Sequence, residues 1–484
     1  MKKRLLKNIF INTTGNKVRL GEILFTDKIL EIKFHSGELD WENISTAEKK
    51  NNFLNSINFQ ESHESLEIID GKFNLVIPGG IDPHVHFDTP GFEFRDDFEH
   101  GTTAAAYGGV TTIIDMPCTS LPPVTNKKNF EIKLNAVRNR SLIDFAFWGG
   151  VRGNDFCKTI DMEKQISELI DAGVAAFKVY VISGMDTFTD LTYERIREVA
   201  AILSKTNKPM GVHAEDKSLV IQRRTKFREE GKTDWQAYCA ARDISAEVTA
   251  VNEIIKIARE TGVRAHIVHL SSGEGLQKIS EARTNGISIS AETCPHYLYF
   301  TQQDFRNENI RNYLKTAPPV KFEADKEQLW KGLAENTLDF VTTDHAGCIP
   351  EKEKISENFW EVYGGIPGVE HRVPFLFSEG FLKNKLTIEQ TINLLSTNAA
   401  KFFGLNSKGK LEIGKDADFA LMNLWKSQTV KSSEMHSLGK YTPFENIKFN
   451  AIVEATVLRG RIVMSKIHEP EEKIGYGKFL RSEN

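Results

Sequence analysis

The chain has 484 residues, 40% of them hydrophobic and 26% charged, enough to bury a sizeable core in one large domain or in two to three ordinary ones. Lys plus Arg number 62 against 66 for Asp plus Glu, a net charge of −4 with no basic block suited to a phosphate backbone, so nucleic acid is excluded as an expected partner. No run of 18 apolar residues occurs and the basic start "MKKRLLKNIF" lacks a signal-type apolar core; with five scattered cysteines this reads as a cytoplasmic chain without a membrane partner.

Residues 1–75 alternate apolar and polar positions between turn glycines and predict strands without long helices. Within them, residues 35–64, "HSGELDWENISTAEKKNNFLNSINFQESHE", are polar and read as an insertion or exposed excursion. From residue 76 to about 404 the texture changes to short apolar runs alternating with helical patterns of roughly ten to twenty residues, the mark of βα units on a parallel sheet. Eight such runs follow one another. They are "LVIPGGIDPHVHF", "GVTTIIDM", "LIDFAFWGGV", "AAFKVYV", "PMGVHAE", "RAHIVHLS", "ISISAETC" and "LDFVTTDHA". Eight right-handed βα units close most naturally into a (β/α)8 barrel; a doubly wound open sheet is the alternative, but no glycine-rich fingerprint follows the first run. Residues 405–484 return to strand-like alternation in "GKLEIGKDADFALMNL" and "AIVEATVLRGRIVM" and predict the second part of a small β-sandwich built from both termini, followed by a tail.

The first barrel run ends on "HVH". Residues i and i+2 of a strand share a face, so His84 and His86 project together at the mouth where barrel enzymes place their chemistry. Four other runs carry a candidate ligand near their carboxyl ends: Lys178, His213, His269 and Asp344. Imidazole nitrogen and carboxylate oxygen suit a borderline divalent ion such as zinc. Lys178, in "AAFKVYV", puts an ammonium among apolar neighbours, which is costly unless the amine is neutral or compensated. Two readings follow: a lysine paired with a carboxylate across the barrel, or a lysine carboxylated by carbon dioxide whose carbamate oxygens bridge two metal ions. His266, three residues before His269, is expected to face the helices, and His345 to face away from Asp344's side. Cys118, Cys294 and Cys348 lie near strand ends and read as pocket lining rather than nucleophiles.

With "DPHVHF", "AAFKVYV", "GVHAED", "IVHLSSGEG", "ETCPHYL" and "TTDHAGC" in this order, the chain resembles the cyclic amidohydrolases: hydantoinase, dihydropyrimidinase, allantoinase and dihydroorotase. The resemblance implies a binuclear centre. One divalent ion, zinc by its usual chemistry, takes His84, His86 and Asp344 and the other His213 and His269, with N6-carboxylated Lys178 between them. A bridging hydroxide then attacks a ring carbonyl while Asp344 moves the proton. Relatives also imply a dimer or tetramer.

For the ring itself, dihydroorotases of this kind carry an arginine where this chain has Asp88, and an asparagine where it has Cys118. A carboxylate there would repel an anionic dihydroorotate. Hydantoinases and dihydropyrimidinases generally carry a tyrosine where this chain has Ser183. The segments "DDFEHGTTAAAYGGVTTIIDMPCTSLPPVTN" and "EVYGGIPGVEHRVPFLF" look most like allantoinases, which implies opening of allantoin to allantoate and a place in purine catabolism, with Cys118, Ser183 and Cys294 on the substrate side. A mononuclear deaminase, which needs no bridging lysine, and a catalytically inactive binding protein, which would have lost ligands, are the readings from other classes.

Overall fold

The computed structural model describes residues 2–56, 66–157 and 160–483. Its first strands are β1 (Arg4–Thr14), β2 (Lys17–Phe25), β3 (Ile29–Phe34), β4 (Leu39–Asp40) and β5 (Glu67–Pro78). Alternation sends Phe10, Leu20 and Leu75 to one core and Ile9, Ile11, Ile23 and Val76 to another, so this sheet is buried on both faces. Of the polar stretch 35–64, Trp41 and Ile44 are buried, Trp41 with its ring 5.3 Å from those of Phe381 and Trp425, while the helix Ala47–Asn55 buries none of its residues. Residues 57–64 of that stretch lie outside the described residues.

Ten strand segments follow: β6 (Gly80–His86), β7 (Val110–Asp115), β8 (Asp144–Phe147), β9 (Gly149–Gly150), β10 (Phe177–Tyr180), β11 (Met210–His213), β12 (Ala265–Ile267), β13 (Ile289–Thr293), β14 (Phe340–Val341) and β15 (His345–Ala346). They pair in two parallel arcs, β15-β6-β7-β8 and β14-β13-β12-β11-β10-β9. The arcs meet where the chain runs from β8 to β9 through Trp148 and from β14 to β15 through residues 342–344. At the first junction Trp148 N donates to Asp115 O at 3.0 Å and Gly149 N to Ala176 O at 2.8 Å, so one strand position serves both neighbours. The ten segments are thus the eight staves of a (β/α)8 barrel, with the β-rich part from both termini beside it.

The helices between them begin and end as their sequences dictate. Asp161, Thr192, Asp243 and Ser272 each accept a hydrogen bond from the backbone N–H three residues on, caps worth about 1 kcal/mol apiece. Gly173 and Gly262 close two of these helices at φ 102° and 75°, in the left-handed region that glycine enters without penalty.

Below the mouth the barrel is filled. Trp148 is fully buried, donates from Nε1 to Pro83 O at 2.7 Å and lies 5.4 Å from the Phe403 ring. A Cβ on Gly211 would come within 2.7 Å of the Trp148 ring, so β11 carries a glycine where the indole fills the lumen. With this floor in place, polar chemistry is confined to the carboxyl ends of the strands.

The chain then returns to the first sheet. Of β16 (Phe419–Asn423), β17 (Gln428–Thr429), β18 (Lys448–Phe449), β19 (Ile452–Leu458) and β20 (Arg461–Ser465), β16 pairs antiparallel with β5. The sheet order β20-β19-β16-β5-β1-β2-β3, with β4 on β2, joins both ends of the chain, and β17 and β18 form a small ladder of their own. Beyond β20 the tail goes back to the barrel: the Phe479 ring sits 5.4, 5.9 and 5.3 Å from those of Phe130, Phe145 and Phe147, and Leu480 N donates to Phe145 O at 2.7 Å. Among the described residues, no helix is long and apolar enough to cross a membrane.

Candidate metal centre and active site

The six residues singled out by their places near strand ends converge on one end of the barrel. His84 Nε2 and His86 Nε2 lie 3.0 and 3.2 Å from Asp344 Oδ1, and one ligand atom from each of the three falls within 4.8 Å of the others. His213 Nδ1 lies 3.0 Å from His269 Nε2. The two groups are joined by His84 and His269, whose rings are 5.5 Å apart. His269 and Asp344 have φ of 38° and 48°, so both adopt the left-handed backbone that non-glycine residues seldom take. At His269 this turn ends the strand alternation.

Lys178 is wholly buried, and its Nζ has no hydrogen-bond partner among the described residues. Burial pushes the amine below the ordinary lysine value although Cys118, Asp344 and Glu292 pull the other way. Its field acts on His84, His213 and His269 together. Burial would raise the Asp344 carboxyl, but the imidazoles of His84, His86 and His269 hold it well below the usual carboxylate range. For His86 burial likewise loses: Cys118 and Asp344 raise the imidazole to about 10. A lone amine between two histidine pairs and a carboxylate, all nitrogen and oxygen donors, fits a pair of borderline divalent ions held through a modified lysine.

Two carboxylates that sequence reading passed over stand behind this cluster. Glu292, fully buried, meets His84 Nδ1 with one oxygen and lies 3.1 Å from His266 Nε2 with the other. Glu215 Oε2 is 2.9 Å from His213 Nε2 and is also held by Arg242. Burial raises Glu215, yet Arg242 and His213 bring it down to about 2. An ionised carboxylate takes the N–H of the imidazole it faces, which leaves His84 Nε2 and His213 Nδ1 turned to the cluster. The signal was available as an i+2 spacing, His213 to Glu215.

His266 is a correction to the strand-face expectation. It does rest on a helix, with the Phe402 ring at 5.1 Å, but its Nε2 reaches Glu292 and its Nδ1 lies 2.7 Å from Ser290 Oγ, so it steadies the carboxylate behind His84. His345 does turn away, with Nε2 2.9 Å from Asp96 Oδ2. Asp88 changes one argument about the ring. Its Oδ2 is buried without a partner among the described residues, and burial raises the carboxyl well above its ordinary value. Burial thus favours its uncharged form, which weakens the repulsion expected for an anionic ring, and the missing guanidinium also stands against dihydroorotate.

Of the substrate-side residues, Cys118 is fully buried with Sγ 3.7 Å from His86 Nδ1. Cys294 is buried with Sγ 3.6 Å from Thr342 Oγ1. Ser183 Oγ donates to Phe188 O at 2.7 Å and accepts from Met185 N at 3.1 Å, which uses its hydroxyl within its own loop.

A profile described as the amidohydrolase family matches residues 75–463, which include the whole cluster. The chain belongs to the amidohydrolase family. It is a hydrolase of carbon–nitrogen bonds in cyclic amides. It is 34% identical over 430 residues to an allantoinase of Bacillus licheniformis, covering 87% of this chain and 92% of that one. To an allantoinase of Rubrobacter xylanophilus it is 36% identical over 402 residues, 82% and 86% of the two chains. Among solved structures it resembles an L-hydantoinase (dihydropyrimidinase) from Arthrobacter aurescens, with TM-score 0.88, 27% identity and coverage of 99% of this chain and 100% of that one.

Proposed function

We propose that the chain opens allantoin to allantoate in a binuclear centre. The observation that supports the centre is the Lys178 amine, buried without a partner and depressed by burial, the state in which an amine adds carbon dioxide. In this reading His84, His86 and Asp344 hold one divalent ion and His213 and His269 the other, with carboxylated Lys178 shared; zinc suits the donors. Bound there, such ions would activate water and polarise a ring carbonyl.

The chain's own residues supply the rest. Asp344 takes the proton of the attacking water and gives it to the leaving ring nitrogen as the carbon–nitrogen bond breaks, leaving a carboxylate and a free ureide. Glu292 and Glu215 keep His84 and His213 in the tautomers that face the cluster. Cys118, Ser183 and Cys294 are proposed on the substrate side. The relatives named above as allantoinases support allantoin over other rings. The full-length likeness to hydantoinase structures favours a substituted hydantoin as the second reading.

Kinetics of metal-loaded protein on allantoin, hydantoins, dihydrouracil, dihydroorotate and simple lactams test the assignment. Allantoin is expected to give the highest kcat/KM; far better turnover of another ring overturns the substrate and leaves the fold untouched. A cytoplasmic location and assembly into dimers or tetramers belong to the same proposal, and a concentration-independent monomer in sedimentation would reject the assembly.

A further inference from the structure

Tyr180 lies two residues beyond Lys178 on β10, so both side chains leave the strand on the same face. Its ring stacks on that of His213 at 5.4 Å with an interplanar angle of 26°, and Lys178 Nζ sits 4.9 Å from its centroid. Its hydroxyl is 3.1 Å from Cys118 Sγ, itself beside His86. One side chain therefore spans the two histidine groups. Tyr180 keeps 8% of its surface exposed and His86 and His213 keep 7% and 5%, whereas Lys178 and Cys118 are sealed. Tyr180 thus keeps some surface where Lys178 keeps none.

The hydroxyl is poorly matched. A buried tyrosine O–H usually finds an oxygen or nitrogen, and here it faces a sulfur. Among the described residues its hydrogen-bond partner is this thiol. A carbonyl oxygen brought to the centre offers the phenol the oxygen acceptor it lacks, in exchange for one sulfur contact. Ser183 differs in this respect, since its hydroxyl already has backbone partners on both sides.

We propose that Tyr180 is a substrate-binding residue: its phenol O–H, parked on Cys118, turns to a carbonyl oxygen of the cyclic amide or its ureido arm. The proposal rests on the cyclic-amide reading of the same site. Tyr180→Phe in the full-length, metal-loaded protein removes the hydroxyl and keeps the stacking ring. On whichever ring of the panel the parent opens best, kcat/KM is expected to fall roughly ten-fold or more, the loss of one hydrogen bond realised in the site. Metal content and melting temperature are expected to match the parent. Parent-like kcat/KM in Tyr180→Phe overturns the proposal; so does a loss of metal or of melting temperature in step with activity, which would make the residue part of the scaffold. A parent protein that opens no ring of the panel is a distinguishable failure, of the cyclic-amide reading itself, and takes this proposal with it.

Discussion

Lys178 at the barrel mouth and Lys408 where the barrel meets the terminal sheet are both buried, yet their surroundings are opposite. Lys408 Nζ lies 2.6 Å from Asp144 Oδ2, 2.9 Å from Asp416 Oδ2 and 2.6 Å from Asp418 Oδ2. Burial would lower its pKa, but the three carboxylates raise it above the ordinary lysine value. Among the described residues Lys178 Nζ has no hydrogen-bond partner, and burial wins. Lys133 likewise pairs with a carboxylate, Asp115, while Lys354 Nζ donates to the carbonyls of Asn312, Tyr363 and Gly365 and burial still lowers it to about 8. A buried ammonium is costly without compensation, and the two lysines stand at opposite ends of that scale.

The sharpest way to break this contrast is Lys178→Ala. Turnover is expected to be nearly abolished and metal content to fall below two ions per chain, while the melting temperature of the metal-free protein holds, because no hydrogen-bond partner of the amine is lost. Small carboxylic acids should restore part of both by filling the vacated space, and Lys178→Arg should not help, since a guanidinium stays protonated. Two metals and parent turnover in Lys178→Ala would remove the lysine from the centre. Asp344→Asn keeps the size but loses basicity, and kcat is expected to drop by roughly two to four orders of magnitude; near-normal turnover with metal retained would remove Asp344 from proton transfer.

Lys408→Ala should act the other way round. It removes a cation shared by three buried carboxylates, of which Asp144 keeps Arg459 and Asp416 keeps Lys28, so urea unfolding is expected to show a loss of about 3 kcal/mol, with near-parent turnover in the fraction that remains folded. Equal damage to activity and stability would blur the distinction between the two lysines. The pH dependence has a definite sign: because the folded pKa of Lys408 is raised, its contribution is whole below the ordinary lysine value and is lost as pH rises through the raised one. The parent should therefore keep this contribution at mildly alkaline pH, and the variant should lack it there. The smallest effect is expected for Glu215→Gln, which should weaken metal binding by about 10- to 100-fold in competition with a chelator, through loss of the carboxylate that orients His213.

Much of the barrel was legible because its signal is local. Each of the eight runs carries its own apolar stretch, and "HVH" declares by its spacing that two imidazoles share a face. Lys178 stood out for the same reason, as a charge in an apolar strand. His266 was misjudged because alternation was extended across His269, where the backbone turns left-handed. Tyr180 passed as another apolar β-former, since nothing in "FKVYV" marks where its hydroxyl points.

By itself, then, the sequence determined the order of the elements, the strand faces and the set of side chains able to bind metal, since periods of two and 3.6 residues are properties of a short stretch of backbone. Tertiary structure alone decided which groups compensate one another. Glu292 meets His84 across 208 positions of sequence, Lys408 meets Asp144 across 264, and the tail brings Phe479 onto β8. No local period encodes such contacts. They exist because barrel closure and the pairing of both termini into one sheet bring distant charges into a space where water cannot screen them, and there Lys408 meets three carboxylates while Lys178 Nζ, among the described residues, has no hydrogen-bond partner.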